Sequence, residues 1–202
     1  GEAVAMNPIT KFFLNIAHFS RFVIGHPLRR YQLKPAQAIV ESVLNRKGLT
    51  FAIMMARQAG KNELSAHLEC YMLNLFHRTG GQIIKAAPTF RPQAIISRMR
   101  LKSVLSNPWN RHFWKSGSGE GGHILSLGEA RCVFLSAQPT ANVVGQTASI
   151  LLECDEAQDI DEEKWYRDFA PMAASTNATT VFYGTAWTSR TLLAKVVRDL
   201  HR

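Results

Sequence analysis

Apolar positions along the chain follow two rhythms. Short runs that are apolar on both faces, "FAIMM" (Phe51–Met55), "SILLEC" (Ser149–Cys154) and "TTVFYG" (Thr179–Gly184), read as strands covered by helices on both sides. On this criterion strands are predicted over Phe51–Ala56, Gln82–Ala87, His123–Leu127, Arg131–Ser136, Ser149–Cys154 and Thr179–Gly184. Between them the spacing becomes helical: Leu64, Leu68, Tyr71, Met72 and Leu75 share one face, as do Leu192, Leu193, Val196, Val197 and Leu200. An earlier helix is predicted to start at Pro35, whose fixed φ suits a first turn, and to bury Ile39, Val40, Val43 and Leu44. Strands alternating with helices imply an α/β fold of three layers, a mostly parallel sheet between two layers of helices. The glycine run Ser116–Gly122, "SGSGEGG", precedes a strand rather than a helix. It therefore lacks the free amides that hold an anion and reads as a flexible connector.

Composition narrows the class. At 202 residues, 46% hydrophobic and 19% charged, the chain matches one ordinary globular domain and excludes a disordered tail, a fibre or a low-complexity linker. Cys70, Cys132 and Cys154 show no CxxC spacing, which fits a reducing compartment. The apolar opening stretch around Phe12–Ile24 carries Lys11, His18 and Arg21 and lacks a small-residue cleavage site, so it is read as an N-terminal helical segment (residues 1–30), not a signal peptide. The main domain is placed at residues 31–202. No apolar run approaches the ~20 residues that cross a bilayer, and no membrane is expected as a partner.

Charge is unevenly placed. The formal net charge is +9. No acid lies between Cys70 and Gly119, a stretch holding Arg78, Lys85, Arg91, Arg98, Arg100, Lys102, Arg111 and Lys115. Acids concentrate instead from Glu153 to Asp168. A basic stretch of this kind is an electrostatic footprint for a polyanion, most often nucleic acid, and equally describes a solvated surface.

The junction Phe51–Glu63, "FAIMMARQAGKNE", runs from a buried strand through a short loop to Gly60-Lys61 and straight into a helix. A phosphate cradle requires this order, because loop amides and the free N–H groups of the helix wrap the phosphates while the lysine reaches their oxygens. Gly60 permits close backbone approach, and Arg57 places a second cation in the same loop. Met55 stands where such loops usually begin with Gly, and Asn62 replaces the usual magnesium-binding Ser/Thr. A second buried strand ends in the adjacent acids Asp155 and Glu156. Asp155 would hold Mg²⁺ while Glu156 polarises the water that attacks a γ-phosphate. An acidic helix N-cap explains Asp159 and Asp161 well, and two carboxylates closing an apolar strand poorly. The third strand ends in Gly184 and Thr185, small and hydroxylated groups able to sense a γ-phosphate.

These segments, in this order, resemble the ATPase domain of the large terminase subunit of tailed bacteriophages. "ARQAGKNE" (Ala56–Glu63) resembles that family's variant nucleotide loop (Walker A), and "LKPAQ" (Leu33–Gln37) the upstream adenine-reading glutamine. "AAPTFRPQA" (Ala86–Ala94) is similar to the segment after the second strand, and "SAQPTANVVGQTASILLECDEAQ" (Ser136–Gln158) to the approach to the acidic Walker B strand. "YGTAW" (Tyr183–Trp187) lies at the coupling motif. The likeness runs from about Leu33 to Trp187.

The resemblance implies a P-loop NTPase of RecA/ASCE type that hydrolyses MgATP to drive double-stranded DNA into a procapsid. It implies ATP contacts from Gln37, Arg57, Gln58, Ala59, Gly60, Lys61, Asn62 and Glu63. Lys61 would neutralise the β/γ-phosphates and Arg57 sense the γ-phosphate, with Asp155 on Mg²⁺, Asn62 a weak metal ligand, Glu156 the catalytic carboxylate and Thr185 the coupling residue. It further implies a homo-oligomeric ring with an arginine finger supplied in trans by Arg91, Arg98 or Arg100, and partners in a portal protein and a small terminase subunit. The setting would be the host cytoplasm, docked on the procapsid. If Phe90–Leu105 is helical, Arg91, Arg98 and Lys102 form one stripe. The family's C-terminal nuclease is not expected within residues 1–202. A superfamily 2 helicase fragment ("DEAQ" is also a helicase spelling), a small-molecule P-loop kinase and a basic DNA-binding module with a degenerate nucleotide site are the competing readings.

Overall fold

A strand apolar on both faces needs cover above and below, and helices supply it on either side of a seven-stranded sheet. A computed structural model describes residues 15–55, 61–119, 122–143, 145–185 and 190–202; at 61, 62, 119 and 122 it describes backbone alone. The strands are β1 (Thr50–Met54), β2 (Gly81–Ala87), β3 (Trp114–Gly119), β4 (Gly122–Leu127), β5 (Ala130–Ser136), β6 (Leu151–Cys154) and β7 (Thr179–Gly184). Their order is β1-β7-β6-β2-β5-β4-β3. β1, β7, β6, β2 and β5 are parallel, and the β3–β4 hairpin adds antiparallel strands at one edge.

The helices are α1 (Ile16–His18, running on as a π-helical turn over Phe19–Ile24), α2 (Arg30–Leu44), α3 (Lys61–Leu75), α4 (Ile95–Leu105), α5 (Glu162–Lys164), α6 (Ala170–Ala174) and α7 (Leu192–Leu200). A π-helical turn, Trp165–Phe169, joins α5 to α6. The strict alternation of strand side chains divides the core in two. Ile53, Ile83, Phe134, Leu151 and Val181 pack beneath α1 to α4, whereas Ile84, Val133, Leu152 and Phe182 pack against Trp165, Phe169, Leu193 and Val196.

Four expectations change. α2 begins at Arg30, not Pro35, because the Gln32 side chain accepts the Arg29 amide (2.8 Å) and closes an earlier first turn. Pro35 sits inside the helix, and Leu44 is exposed. α3 is buried nearly all round rather than on one face, since the N-terminal turn covers its outer side; Phe19 meets Tyr71 edge-on at 5.2 Å. Residues 116–119 of the glycine run belong to β3, paired antiparallel with β4, so this part is no connector. Arg91 has extended φ/ψ (−109°, 122°), so the Arg91–Arg98–Lys102 stripe does not form and only Arg98 and Lys102 share a turn of α4.

Candidate active site

Because β1, β7 and β6 lie side by side and parallel, their C-terminal ends open on one edge of the sheet, where doubly wound folds bind ligands. Lys61 is the first residue of α3, the helix next in the chain after β1, Asp155 and Glu156 follow β6, and Thr185 follows β7. The backbone thus brings Lys61, Asp155, Glu156 and Thr185 to one edge. Arg57, Gln58, Ala59 and Gly60 lie outside the described residues, as do the side chains of Lys61 and Asn62. Backbone bonds lock the strand ends together: Met55 N donates to the Gly184 carbonyl (3.1 Å) and Asp155 N to the Ala86 carbonyl (2.8 Å).

Asp155 is buried. Its Oδ2 accepts the Ser97 hydroxyl from α4 (3.1 Å), and its Oδ1 accepts the Glu156 amide (3.0 Å). Each oxygen keeps a further lone pair. Glu156 occupies the left-handed region (φ 46°, ψ 53°), which costs a non-glycine residue about 1–3 kcal/mol and is concentrated at functional sites. Its Oε2 accepts Gln158 Nε2 (2.5 Å). The same Nε2 stands 3.3 Å from Thr185 Oγ1, and Gln158 Oε1 accepts the Thr185 amide (3.4 Å). One side chain therefore joins the end of β6 to the end of β7. Gly184 makes room for it, since a Cβ there would stand 2.9 Å from Gln158 Oε1 and 2.2 Å from Leu193 Cδ2.

Among the described residues no group of three or more His, Cys, Asp or Glu side chains is arranged to hold a metal alone. Magnesium bound with a nucleotide needs less, one or two carboxylates plus phosphate oxygens and water. A buried carboxylate with spare lone pairs, as Asp155 has, fits that requirement.

The remaining sequence candidates are scattered. Glu63 lies in the first turn of α3 with Oε1 3.8 Å from His67 Nε2. Gln37 is exposed on α2, beside a groove also lined by Asn15 and Val40. Arg91 and Arg100 are exposed, and Arg98 is half-buried, its Nε without a hydrogen-bond partner among the described residues. Lys85, counted in the basic stretch, is buried in the core and contributes nothing to a basic surface. A cavity of about 340 Å³, lined by Leu152, Trp165 and Phe182 with Asn177 and Asp199, reaches Thr50 and Thr180 at the opposite ends of the strands.

Ser97 and Gln158 join the site only through the tertiary fold. Nothing local marks Ser97, which reaches Asp155 only because α4 packs across the end of β6. Gln158 closes the "DEAQ" run, and its spacing of two from Glu156 was the available signal.

The fold is similar to that of the HK97 bacteriophage large terminase (TM-score 0.66, 20% identity, covering 94% of this chain and 41% of that one). It is similar also to the Thermus phage P74-26 large terminase ATPase domain (TM-score 0.61, 20% identity, 83% and 67% covered). A third likeness is to the large terminase of a thermophilic bacteriophage in complex with ADP (TM-score 0.56, 14% identity, 78% and 39% covered). The chain spans well under half the length of the HK97 protein, 41%. No family model matches the sequence, and no curated protein does. The chain thus shares the fold of these large terminase structures, a mostly parallel sheet between two layers of helices.

Proposed function

We propose that this chain is the ATPase domain of a viral genome-packaging motor, hydrolysing MgATP to drive double-stranded DNA into a procapsid. The observation that carries the reading is the Glu156–Gln158–Thr185 bridge, set on the same sheet edge from which α3 departs with Lys61. The likeness to terminase ATPase domains supports it, and one such relative was crystallised with ADP.

In this reading the segment Arg57–Gly60, with Lys61, cradles the phosphates, the free amides of α3 and the lysine ammonium offsetting their charge. Gln37 reads the adenine, and Asn62 and Glu63 complete the cradle. Asp155, with Asn62 as a weak second ligand, would hold Mg²⁺, which would supply positive charge to offset that of the phosphates. Glu156 takes the proton of the attacking water as the bond from the γ-phosphorus to the β,γ-bridging oxygen breaks, releasing ADP and phosphate. Gln158 holds Glu156 before the reaction and is positioned to pass loss of the γ-phosphate to Thr185 and β7. Arg91, Arg98 or Arg100 of a neighbouring subunit in a ring supplies the finger, a contribution of about 10³-fold or more. The portal protein and the small terminase subunit are the expected partners, at a procapsid in the host cytoplasm. No helix among the described residues is long and apolar enough to cross a membrane.

The test is ATP hydrolysis against protein concentration, with and without double-stranded DNA. Hydrolysis should rise steeply with concentration, Glu156→Gln should bind ATP without turning it over, and Lys61→Ala should lose binding. Absence of nucleotide binding by the wild-type protein, or hydrolysis by Glu156→Gln, overturns the assignment.

A further inference from the structure

Between α3 and the sheet lies a group of polar side chains that the chemistry above does not use. Lys85 on β2, Glu153 on β6 and Tyr183 on β7 point to the α3 side, and Ser65 and Glu69 come down from that helix. All five are buried, Glu69 and Glu153 at 0% exposure. Lys85 and Glu153 are direct register partners on adjacent strands. Lys85 Nζ pairs with Glu69 Oε2 (3.0 Å) and donates to Ser65 Oγ. Ser65 Oγ lies 3.1 Å from Glu69 Oε2 and 3.4 Å from Glu153 Oε2, and the Tyr183 hydroxyl donates to Glu153 Oε2 (2.8 Å).

This arrangement is costly. Desolvating ions takes several kcal/mol each, and apolar residues of the same volume usually serve a purely structural contact as well or better. Glu69 Oε1 and Glu153 Oε1 have no hydrogen-bond partner among the described residues, which adds to the cost. Burial, then the neighbouring Glu69, raise the Glu153 carboxyl well above its usual range. Burial alone would lower the Lys85 ammonium, but Glu69, Glu153 and Asp155 around it hold it above its usual range.

What distinguishes the cluster is its position. Ser65 is one helical turn past Lys61, Glu153 two residues before Asp155, and Tyr183 two before Thr185. One hydrogen-bonded unit touches the elements behind all three parts of the proposed site. Directional polar contacts fix register where interchangeable apolar contacts allow sliding. We infer that Ser65, Glu69, Lys85, Glu153 and Tyr183 are positioning residues that set the helix bearing Lys61 against the strand bearing Asp155, so that phosphates and magnesium bind as one unit. The inference rests on the ATP reading above.

The test is the affinity of a fluorescent ATP analogue, measured with MgCl₂ and with EDTA, alongside thermal unfolding. The variants are Lys85→Met/Glu69→Gln, which removes both charges together, and Tyr183→Phe, which removes only the hydroxyl. Wild-type affinity should rise about tenfold or more with magnesium, within the usual range of site-to-site coupling. In the double variant the magnesium gain should fall below about twofold while metal-free affinity stays within about twofold of wild type, with Tyr183→Phe between. An unchanged magnesium gain, or an equal loss of affinity with and without metal, overturns the inference. Should the double variant not fold, Tyr183→Phe decides alone, and a wild-type gain in it overturns the inference. Wild-type protein that binds no nucleotide refutes the ATP reading itself; wild-type binding with unaltered variants refutes only the cluster.

Discussion

The left-handed backbone of Glu156 predicts a reversal of an ordinary substitution rule. At φ 46°, ψ 53°, Cβ crowds the following carbonyl oxygen, at about 1–2 kcal/mol for an L-residue. Glycine is free of that strain but loses more conformational freedom on folding, which elsewhere favours alanine by about 0.4–1 kcal/mol. Glu156→Ala and Glu156→Gly both remove the carboxylate and its bond from Gln158, so their difference isolates the backbone. Glycine should be the more stable by roughly 0.5–1 kcal/mol, near 2 °C in Tm for a chain of this size. Equilibrium urea denaturation of the pair reads this directly, and both variants should bind ATP without hydrolysing it. An alanine variant as stable as the glycine one would refute the reasoning, since the backbone would then have relaxed out of the left-handed region without penalty.

Other outcomes follow from the same site and core. Gln158→Leu keeps the volume but severs Glu156 from Thr185; turnover should fall about tenfold or more with KM within about twofold, and a rise in KM at unchanged kcat would count against the bridge. Gly184→Ala drives a Cβ to 2.2 Å from Leu193 Cδ2, in a fully buried side chain, and should cost about 1–3 kcal/mol in thermal denaturation, partly recovered by adding Leu193→Ala. Burial, and then His26, hold the His67 imidazole down at about 4 from an ordinary 6.5. Because the folded value lies below the unfolded one, this contribution is complete above about pH 6.5 and is lost as pH falls toward 4, where the unfolded chain takes up a proton that the folded one refuses. The loss amounts to roughly 2–3 kcal/mol, and the urea midpoint of the wild type should decline more steeply over that window than that of His67→Gln, in which Ser20 keeps a polar neighbour. Parallel declines would exclude His67 as the source.

Much of this protein was legible in the chain itself. Strands apolar on both faces announced a covered parallel sheet, and an acid pair after one such strand, with Gly60-Lys61 between another and a helix, marked the candidate residues. Those signals are local: a run of five residues carries its own two-faced pattern, and a loop carries its own amides. Residues whose roles depend on what packs over them were not legible. The last four residues of β3 are Ser and Gly and read as a loop; only pairing with β4 makes them a strand. Lys85 reads as surface charge until Glu69, about 55 Å of fully extended chain away, descends from α3 to meet it. Ser97 becomes a partner of Asp155 because α4 crosses the end of β6, and Gln158 becomes a bridge because β7 inserts beside β6. Sequence periodicity reports whether a face is covered, not which residues cover it, and the cost of a buried polar group is met only by a partner that the tertiary fold delivers.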